Sequence, residues 1–300
     1  MDPVTEAYVR LAVYVGTAVL LLRIIQLLVL VPVAREEELN AAQVRVLTVV
    51  AQVALAIFAL TQGFHVAAEV LHLDVLHRTA EEFTQDHLQR IVLAGAQAAI
   101  VKSAGAIGGA VKLLGLPAEV VSQVLTRVLD RLYYAGEVAA VMLVLLKFGH
   151  KYVMSTLFPL GVVVLLIPGA RYAGGFLVAA ALTLWLVLPA TLVGVIMPIA
   201  KVTGMDADPP LGFFLTALPL LFPPMLVMFP PAIPVLIELW REFFSWYIRE
   251  LLLWLCIIPA VTGIAAAVSM IAVMSAVGGG RVVYILRRFV RYVLPIKGIR

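Results

Sequence analysis

Three cations of this chain lie in or beside apolar segments, where a charge needs a partner. Lys102 and Lys112 belong to a series spaced three and four residues apart, which a helix would place on one face: Gly95, Ala98, Lys102, Gly105, Gly109 and Lys112. Arg171 follows the Pro168-Gly169 turn signal between two long apolar runs. Exposing a charge to hydrocarbon costs several kcal/mol, so each cation should face protein, water or a ligand. For Lys102 and Lys112 the spacing favours tight helix packing with the lysines reaching the interface, and the alternative is a basic wall of a passage that would hold the phosphates of a polyanion by charge.

A second group of candidate ligands lies in the acidic segment of residues 65–87, which holds four of the five histidines. His65, Glu69 and His72 are spaced i, i+4 and i+7, so a continuous helix would place them on one face, where they could ligate a divalent metal. Glu69-x-x-His72 has the spacing of di-iron bundles, but the other apolar segments offer no matching Glu-x-x-His. The sequence favours a solvated acidic loop without a cofactor, and a metal site at these three residues is the alternative.

Motifs for enzymatic chemistry are absent from the sequence. It has no glycine-rich phosphate loop followed by Lys and Ser or Thr, so ATP hydrolysis by that route is excluded. The lone Cys256 has no metal-ligand partner at short spacing, and no Ser or Cys stands beside a plausible base. Among the predicted spans only Glu137 supplies an acid, which argues against a proton-coupled pump. We predict that the chain is not an enzyme and that any energy source lies in another protein.

The composition places these residues in a membrane protein. Of the residues, 63% are hydrophobic and 13% charged, and the mean hydropathy is +1.06, values far outside the range of soluble domains. A membrane-spanning helix needs about 20 apolar residues. We predict an all-α, polytopic fold forming a single transmembrane domain over residues 1–300, with about seven spans: residues 11–33, 46–68, 90–116, 133–168, 172–200, 209–237 and 251–280.

Two segments depart from straight spanning helices. Residues 209–234 contain eight prolines, each of which removes a backbone donor and clashes with the preceding turn. The sequence predicts either a broken span beside a conduit or a strongly kinked ordinary span. Pro117 opens an amphipathic pattern whose apolar face holds Val120, Val121, Val124, Val128 and Leu132. We expect this second segment to form an interfacial helix ahead of the span at residues 133–168.

The charges at the chain ends predict the orientation. Residues 1–6 are acidic and lack the features of a cleavable signal peptide, so the first helix should remain in the protein. The C-terminal segment forms a basic amphipathic pattern with Arg281, Arg287, Arg288 and Arg291 on one face. Such a helix contacts anionic lipids, or docks a cytoplasmic partner or nucleic acid. Because cytoplasmic loops are rich in Lys and Arg, seven spans predict a multi-pass protein of the cell membrane with its N-terminus outside and its C-terminus in the cytoplasm.

The joint around Arg171 resembles a signature of archaeal CedA-type proteins. An apolar helix containing Gly161 leads to a short Pro/Arg joint, a Gly-Gly pair opens an alanine-rich helix, and a proline closes that span. The resemblance covers roughly residues 147–189 by motif and the rest only by hydropathy. The positions that carry it are Gly161, Pro168, Arg171, Gly174, Gly175 and Pro189.

CedA-type proteins are the polytopic membrane component of the Ced or Ted DNA-import system. They are thought to be related to the polytopic inner-membrane subunit of bacterial conjugation, or type IV secretion, machines. The resemblance implies a conduit for DNA, a separate hexameric ATPase of the HerA/VirB type, and small pilin-like membrane proteins as partners. Assembly with further copies of this chain stays open. A secondary transporter or small-solute channel is the alternative function, because it would also use a discontinuous span near the midplane.

Overall fold

The computed structural model describes residues 3–30, 36–110, 115–210 and 232–278. Every regular element in these ranges is a helix, which confirms the all-α prediction for this part of the chain. The α-helices are α1 Pro3–Leu30, α2 Glu36–Phe58, α3 Phe64–Val70, α4 Leu73–Ala110, α5 Gly115–Phe148, α6 Phe158–Leu166, α7 Arg171–Leu182, α8 Leu188–Thr191, α9 Met197–Val202, α10 Ala232–Leu251 and α11 Ile258–Gly278.

Wide π-helical turns extend several of these helices without ending them. Such turns are rare and often occur at functional positions. Within the ranges given above they span Ala59–Gly63, Gly149–Leu157, Thr183–Val187, Leu192–Ile196 and Leu252–Ile257. They keep apolar segments helical over lengths that suit a bilayer, because the backbone groups still bond within the segment.

Five helical segments of the described residues are long and apolar enough to cross a membrane: Glu6–Val29, Glu37–Gly63, Ser122–Leu166, Arg171–Val202 and Ile237–Ala276. They overlap five of the seven predicted spans. The predicted spans at residues 90–116 and 209–237 include residues outside the described ranges, and both stay predictions. Of the proline-rich break, only Pro209, Pro210 and Pro234 are described. The chain is a membrane protein, and its orientation stays a prediction.

The predicted interfacial helix is not a separate element. Its sequence belongs to α5, which begins at Gly115, contains Pro117 in its first turn and continues to Phe148 without a break. No glycine or proline lies at residues 130–135 to end the helix, so the amphipathic pattern and the following apolar run form one rod. The predicted apolar face is confirmed in part: Val128 and Leu132 are buried, whereas Val124 is 37% exposed and its neighbour Leu125 is fully buried.

The described residues divide into two compact units whose boundaries cut through helices and not through linkers. The first unit comprises Met1–His77, Leu146–Pro189 and Ile264–Arg300. Its core joins α1, α2, α6 and α7 through Ala12, Ala56, Val162 and Val178. Gly16 of α1 lies against Val53 of α2, so a small residue lets these two helices approach closely.

The second unit comprises Arg78–Leu145 and Ala190–Gly263. Ala98 and Val101 of α4 pack against Leu125 of α5, with Trp240 of α10 at the edge of this cluster. Phe243, Leu253 and Trp254 are fully buried. The prediction of a single transmembrane domain concerns the whole chain and stays a prediction.

Candidate functional site

Gly161 and Gly174 allow α6 and α7 to come into close contact at the joint that precedes Arg171. A Cβ atom on Gly174 would lie 2.5 Å from the Leu165 backbone nitrogen, and one on Gly161 would lie 2.9 Å from the Val178 nitrogen. Any larger residue would force the two helices apart, so glycine permits this packing. Among the other motif positions, Gly175 and Pro189 are buried and Pro168 is exposed in the turn. The glycines of the motif therefore have a packing role in a helical hairpin.

Arg171 is the first residue of α7 and reaches a neutral partner. Its Nη2 donates a hydrogen bond of 3.1 Å to Gln52 Oε1 of α2. Its Nε is buried and has no hydrogen-bond partner among the described residues. Both side chains line a cavity of about 400 Å³, whose other walls include Phe158 and Val162. Because no carboxylate of the described residues pairs with this guanidinium, an anion is the ligand that this position would stabilise best.

Lys102 lies on α4, half-buried, and within the described ranges it forms no ion pair. The small-residue face to which it belongs is not uniform. Ala98 is buried against α5, whereas a Cβ atom on Gly95 would meet no atom within 4 Å. Part of this face therefore serves helix packing and part is open. Lys112 and the arginines of the basic tail, Arg281, Arg287, Arg288 and Arg291, lie outside the described residues.

The predicted common face of His65, Glu69 and His72 is wrong. The helix that contains His65 and Glu69, α3, ends at Val70. His72 adopts a left-handed backbone conformation with φ of 47° in the turn before α4. Because a left-handed residue redirects the chain, His72 cannot continue the face that holds Glu69. Neither glycine nor proline marks this turn, so helical spacing alone could not predict it.

A different pair of histidines comes together in the first unit. The rings of His77 and His150 stack with their centroids 4.8 Å apart. His77 Nε2 lies 2.6 Å from the Trp185 carbonyl oxygen, so that nitrogen donates its proton there. His150 Nε2 lies 3.6 Å from Asp74 Oδ1. The stacked rings join α4 to the π turns at Gly149–Leu157 and Thr183–Val187.

One fully buried carboxyl group of the described residues was not predicted. Glu250, at the end of α10, has no exposed side-chain surface, and it lies inside the candidate span Ile237–Ala276. Its Oε1 lies 2.7 Å from His87 Nδ1 of α4 and accepts a hydrogen bond of 3.1 Å from Trp254 Nε1. The Phe83 ring packs on the imidazole at a centroid distance of 4.5 Å. This pair is a buried acid and base in an apolar setting, an arrangement that is usually functional in membrane proteins.

The outer side of the pair faces the loop that follows α9. His87 Nε2 lies 3.7 Å from Asp206 Oδ1. Arg90, one turn further along α4, fixes this loop: its Nη1 lies 2.9 Å from the same Asp206 oxygen, and its Nε lies 2.8 Å from Asp208 Oδ1. Arg249 Nη1 also donates to the Gly204 carbonyl oxygen at 3.0 Å. The loop therefore holds the Asp206 carboxylate next to the buried pair.

The sequence analysis did not predict the pairing of His87 with Glu250, for two reasons. The predicted span began at Leu251, which left Glu250 outside the apolar run by one residue. His87 was assigned to the acidic loop, although α4 continues through it without a break. A signal was present in the spacing of Glu250 and Trp254, which are four residues apart and share a helical face.

The fold and composition define the class of this protein as an all-helical, multi-pass membrane protein. No family model, no curated protein and no solved structure matches the chain.

Proposed function

We propose that this protein is a membrane-embedded component of a DNA import or transfer apparatus, in which it forms or scaffolds the conduit across the cell membrane. The observation that carries the proposal is Arg171. This cation opens α7 within the CedA-like segment, hydrogen-bonds only the neutral Gln52, and has no carboxylate partner among the described residues. A phosphodiester would supply the missing negative charge.

Phosphate contacts suit a carrier of DNA because they do not depend on sequence. Guanidinium groups bind phosphate oxygens through charge and paired hydrogen bonds, whereas sequence is distinguished only at the base edges. Arg171 has the required donors, and Lys102 offers a second half-buried cation. Lys112 extends this set on the basis of the sequence alone. These three residues are the proposed contacts for the DNA backbone.

The size of the cavity limits what one chain does alone. About 400 Å³ lies within the range of pockets that bind single small ligands. The cavity would hold a group the size of one nucleotide, whereas a DNA strand needs a continuous passage. We therefore propose that the conduit is formed by several copies of this chain or by further subunits. Small pilin-like membrane proteins and a hexameric HerA/VirB-type ATPase are the proposed partners. With its C-terminus in the cytoplasm, the basic tail would meet the ATPase or anionic lipid headgroups.

The test is DNA transfer between two genetically marked strains, with the gene deleted in the donor only or in the recipient only. We expect transfer to fail when the recipient lacks the gene. Unchanged transfer in both pairings would overturn the proposal.

Charge variants then test the residues. In a recipient deletion strain we would compare Arg171→Gln, Arg171→Lys and the Lys102→Ala, Lys112→Ala, Arg171→Ala triple variant, each at matched membrane abundance. The neutral variants should reduce transfer, and the lysine variant should retain part of it because it keeps the charge. Arg241→Gln is the control, since Arg241 is exposed and its ion pair among the described residues is with Glu238 of its own helix. Normal transfer in the triple variant would refute the assignment of these cations.

A secondary transporter or small-solute channel is the second candidate, and the buried pair of His87 and Glu250 favours it. Ionisable groups inside a membrane span often mark ion or substrate pathways. Saturable uptake of a small solute by proteoliposomes that contain only this protein would support the transporter.

A further inference from the structure

The two carboxylate oxygens of Glu250 have different surroundings. Oε1 contacts His87 Nδ1 and the Trp254 indole N–H. Oε2 is buried and has no hydrogen-bond partner among the described residues. A bare, buried carboxylate oxygen is destabilising, and protonating the carboxyl group removes the charge that needs solvation. The 2.7 Å contact between Glu250 Oε1 and His87 Nδ1 is short enough for a proton to pass between the two groups.

His87 connects Glu250 to a partly exposed carboxylate, that of Asp206. Its Nε2 is buried, has no hydrogen-bond partner among the described residues, and lies 3.7 Å from Asp206 Oδ1. The side-chain exposure is 33% for Asp206, 1% for His87 and 0% for Glu250. These three groups form a series from the surface to the interior, with the two imidazole nitrogens in the middle.

We propose that Asp206, His87 and Glu250 form a proton-transfer chain that loads and unloads Glu250 inside the membrane domain. A proton taken up by Asp206 Oδ1 passes to His87 Nε2 when their 3.7 Å separation shortens to a hydrogen bond. The proton on His87 Nδ1 moves to Glu250 Oε1 across the 2.7 Å contact. The three groups together gain one proton, and Glu250 ends protonated. His87 stays neutral, with its proton now on Nε2 instead of Nδ1. The inference does not depend on DNA transport.

The surroundings of the chain favour directed transfer. The rings of Phe83 and Trp254 flank the imidazole at centroid distances of 4.5 and 5.9 Å. They cover the His87 ring with apolar surface, which disfavours water there. Arg90 fixes the position of Asp206 through its carboxylate and its carbonyl oxygen. The charged groups bonded to this loop among the described residues include Arg90 of α4, which also contacts Asp208, and Arg249 of α10, which donates to the Gly204 carbonyl oxygen.

A purely structural ion pair is the competing explanation, and protonation kinetics distinguish the two. We would record infrared difference spectra of the purified full-length protein in detergent after a pH jump, following the C=O band of a protonated carboxyl group. Isotope labelling of glutamate assigns the band to a glutamate and not to an aspartate. We expect a titrating glutamate band that is lost in Glu250→Gln.

The rate at which that band appears tests the connection. In Asp206→Asn we expect the Glu250 band to form about a hundredfold more slowly, the lower end of what a positioned proton-transfer group contributes. Glu242→Gln is the control, because Glu242 is an exposed carboxylate on the same helix, and it should change neither band nor rate. Absence of a titrating glutamate band would overturn the proposal, as would an unchanged rate in Asp206→Asn. Asp206 is partly exposed, so this variant remains informative if Glu250→Gln does not fold.

Discussion

Gly174 of α7 lies so close to Leu165 of α6 that a Cβ atom on the glycine would be 2.5 Å from the leucine backbone nitrogen. The same Cβ would lie 2.9 Å from the Gly161 carbonyl oxygen. Backbone atoms of both helices would have to move to admit one methyl group. The joint between α6 and α7 thus contains glycines that pack the helical hairpin and one residue, Arg171, whose charge the packing does not require.

Gly174→Ala should destabilise the protein by about 1–3 kcal/mol, the usual range for overpacking a closely packed site. Gly169→Ala is the matched control, because a Cβ atom at Gly169 would meet nothing within 4 Å. The measurement is the thermal unfolding midpoint in detergent for the wild type and both variants. Equal midpoints for the two variants would contradict the observed contact of α6 and α7.

Arg90→Ala should loosen the loop that follows α9. The change removes the contacts to Asp206 and Asp208, and lost hydrogen bonds to charged groups amount to about 1–3 kcal/mol. Amide hydrogen exchange of residues 203–208 should become faster.

Arg241→Ala provides the comparison for this loop. Its pair with Glu238 is exposed and local, and such pairs contribute about 1 kcal/mol or less. Exchange of residues 203–208 should keep the wild-type rate in Arg241→Ala. If the amide hydrogens of residues 203–208 exchange at the same rate in Arg90→Ala and Arg241→Ala, Arg90 does not stabilise the loop after α9.

Composition and apolar run length predicted the membrane class and five of the spans, because both properties are local. The pairing of His87 with Glu250 could not be predicted in this way, since the two residues are 163 positions apart. Helical periodicity determines which residues share a face but not which helices meet. The left-handed turn at His72 is another such case, because nothing in its neighbours' chemistry requires it.

Thr183 and Ser269 link α11 to the π turn that begins at Thr183 through a hydrogen bond of 2.8 Å between their hydroxyl oxygens. Both hydroxyls also contact carbonyl oxygens of their own helices, Ala179 and Ala266. Hydrogen bonds between membrane helices contribute about 0.6 kcal/mol on average and up to about 1.7. A double-mutant cycle with Thr183→Val and Ser269→Ala should give a coupling energy in that range. A coupling energy of zero would show that each hydroxyl bonds only within its own helix.

Substitutions of His72 test whether the histidine-rich segment has a structural or a metal-binding role. Its φ of 47° is unfavourable for a residue with a Cβ atom, by about 1–2 kcal/mol. Glycine removes this strain, but it also makes the unfolded chain more flexible. That flexibility lowers the stability gained by about 0.5–1 kcal/mol. We therefore expect His72→Gly to be neutral or to stabilise the protein by up to about 1 kcal/mol.

His72→Val should destabilise the protein by more than about 1 kcal/mol, because a β-branched side chain is strongly disfavoured in this conformation. The measurements are the thermal unfolding midpoint and the metal content of the purified protein. Since His72 does not share a helical face with Glu69, His72→Gly should leave the metal content unchanged. A metal bound in stoichiometric amount by the wild type and lost in His72→Gly would show that His72 is a ligand, and it would contradict the exposed turn as its only role.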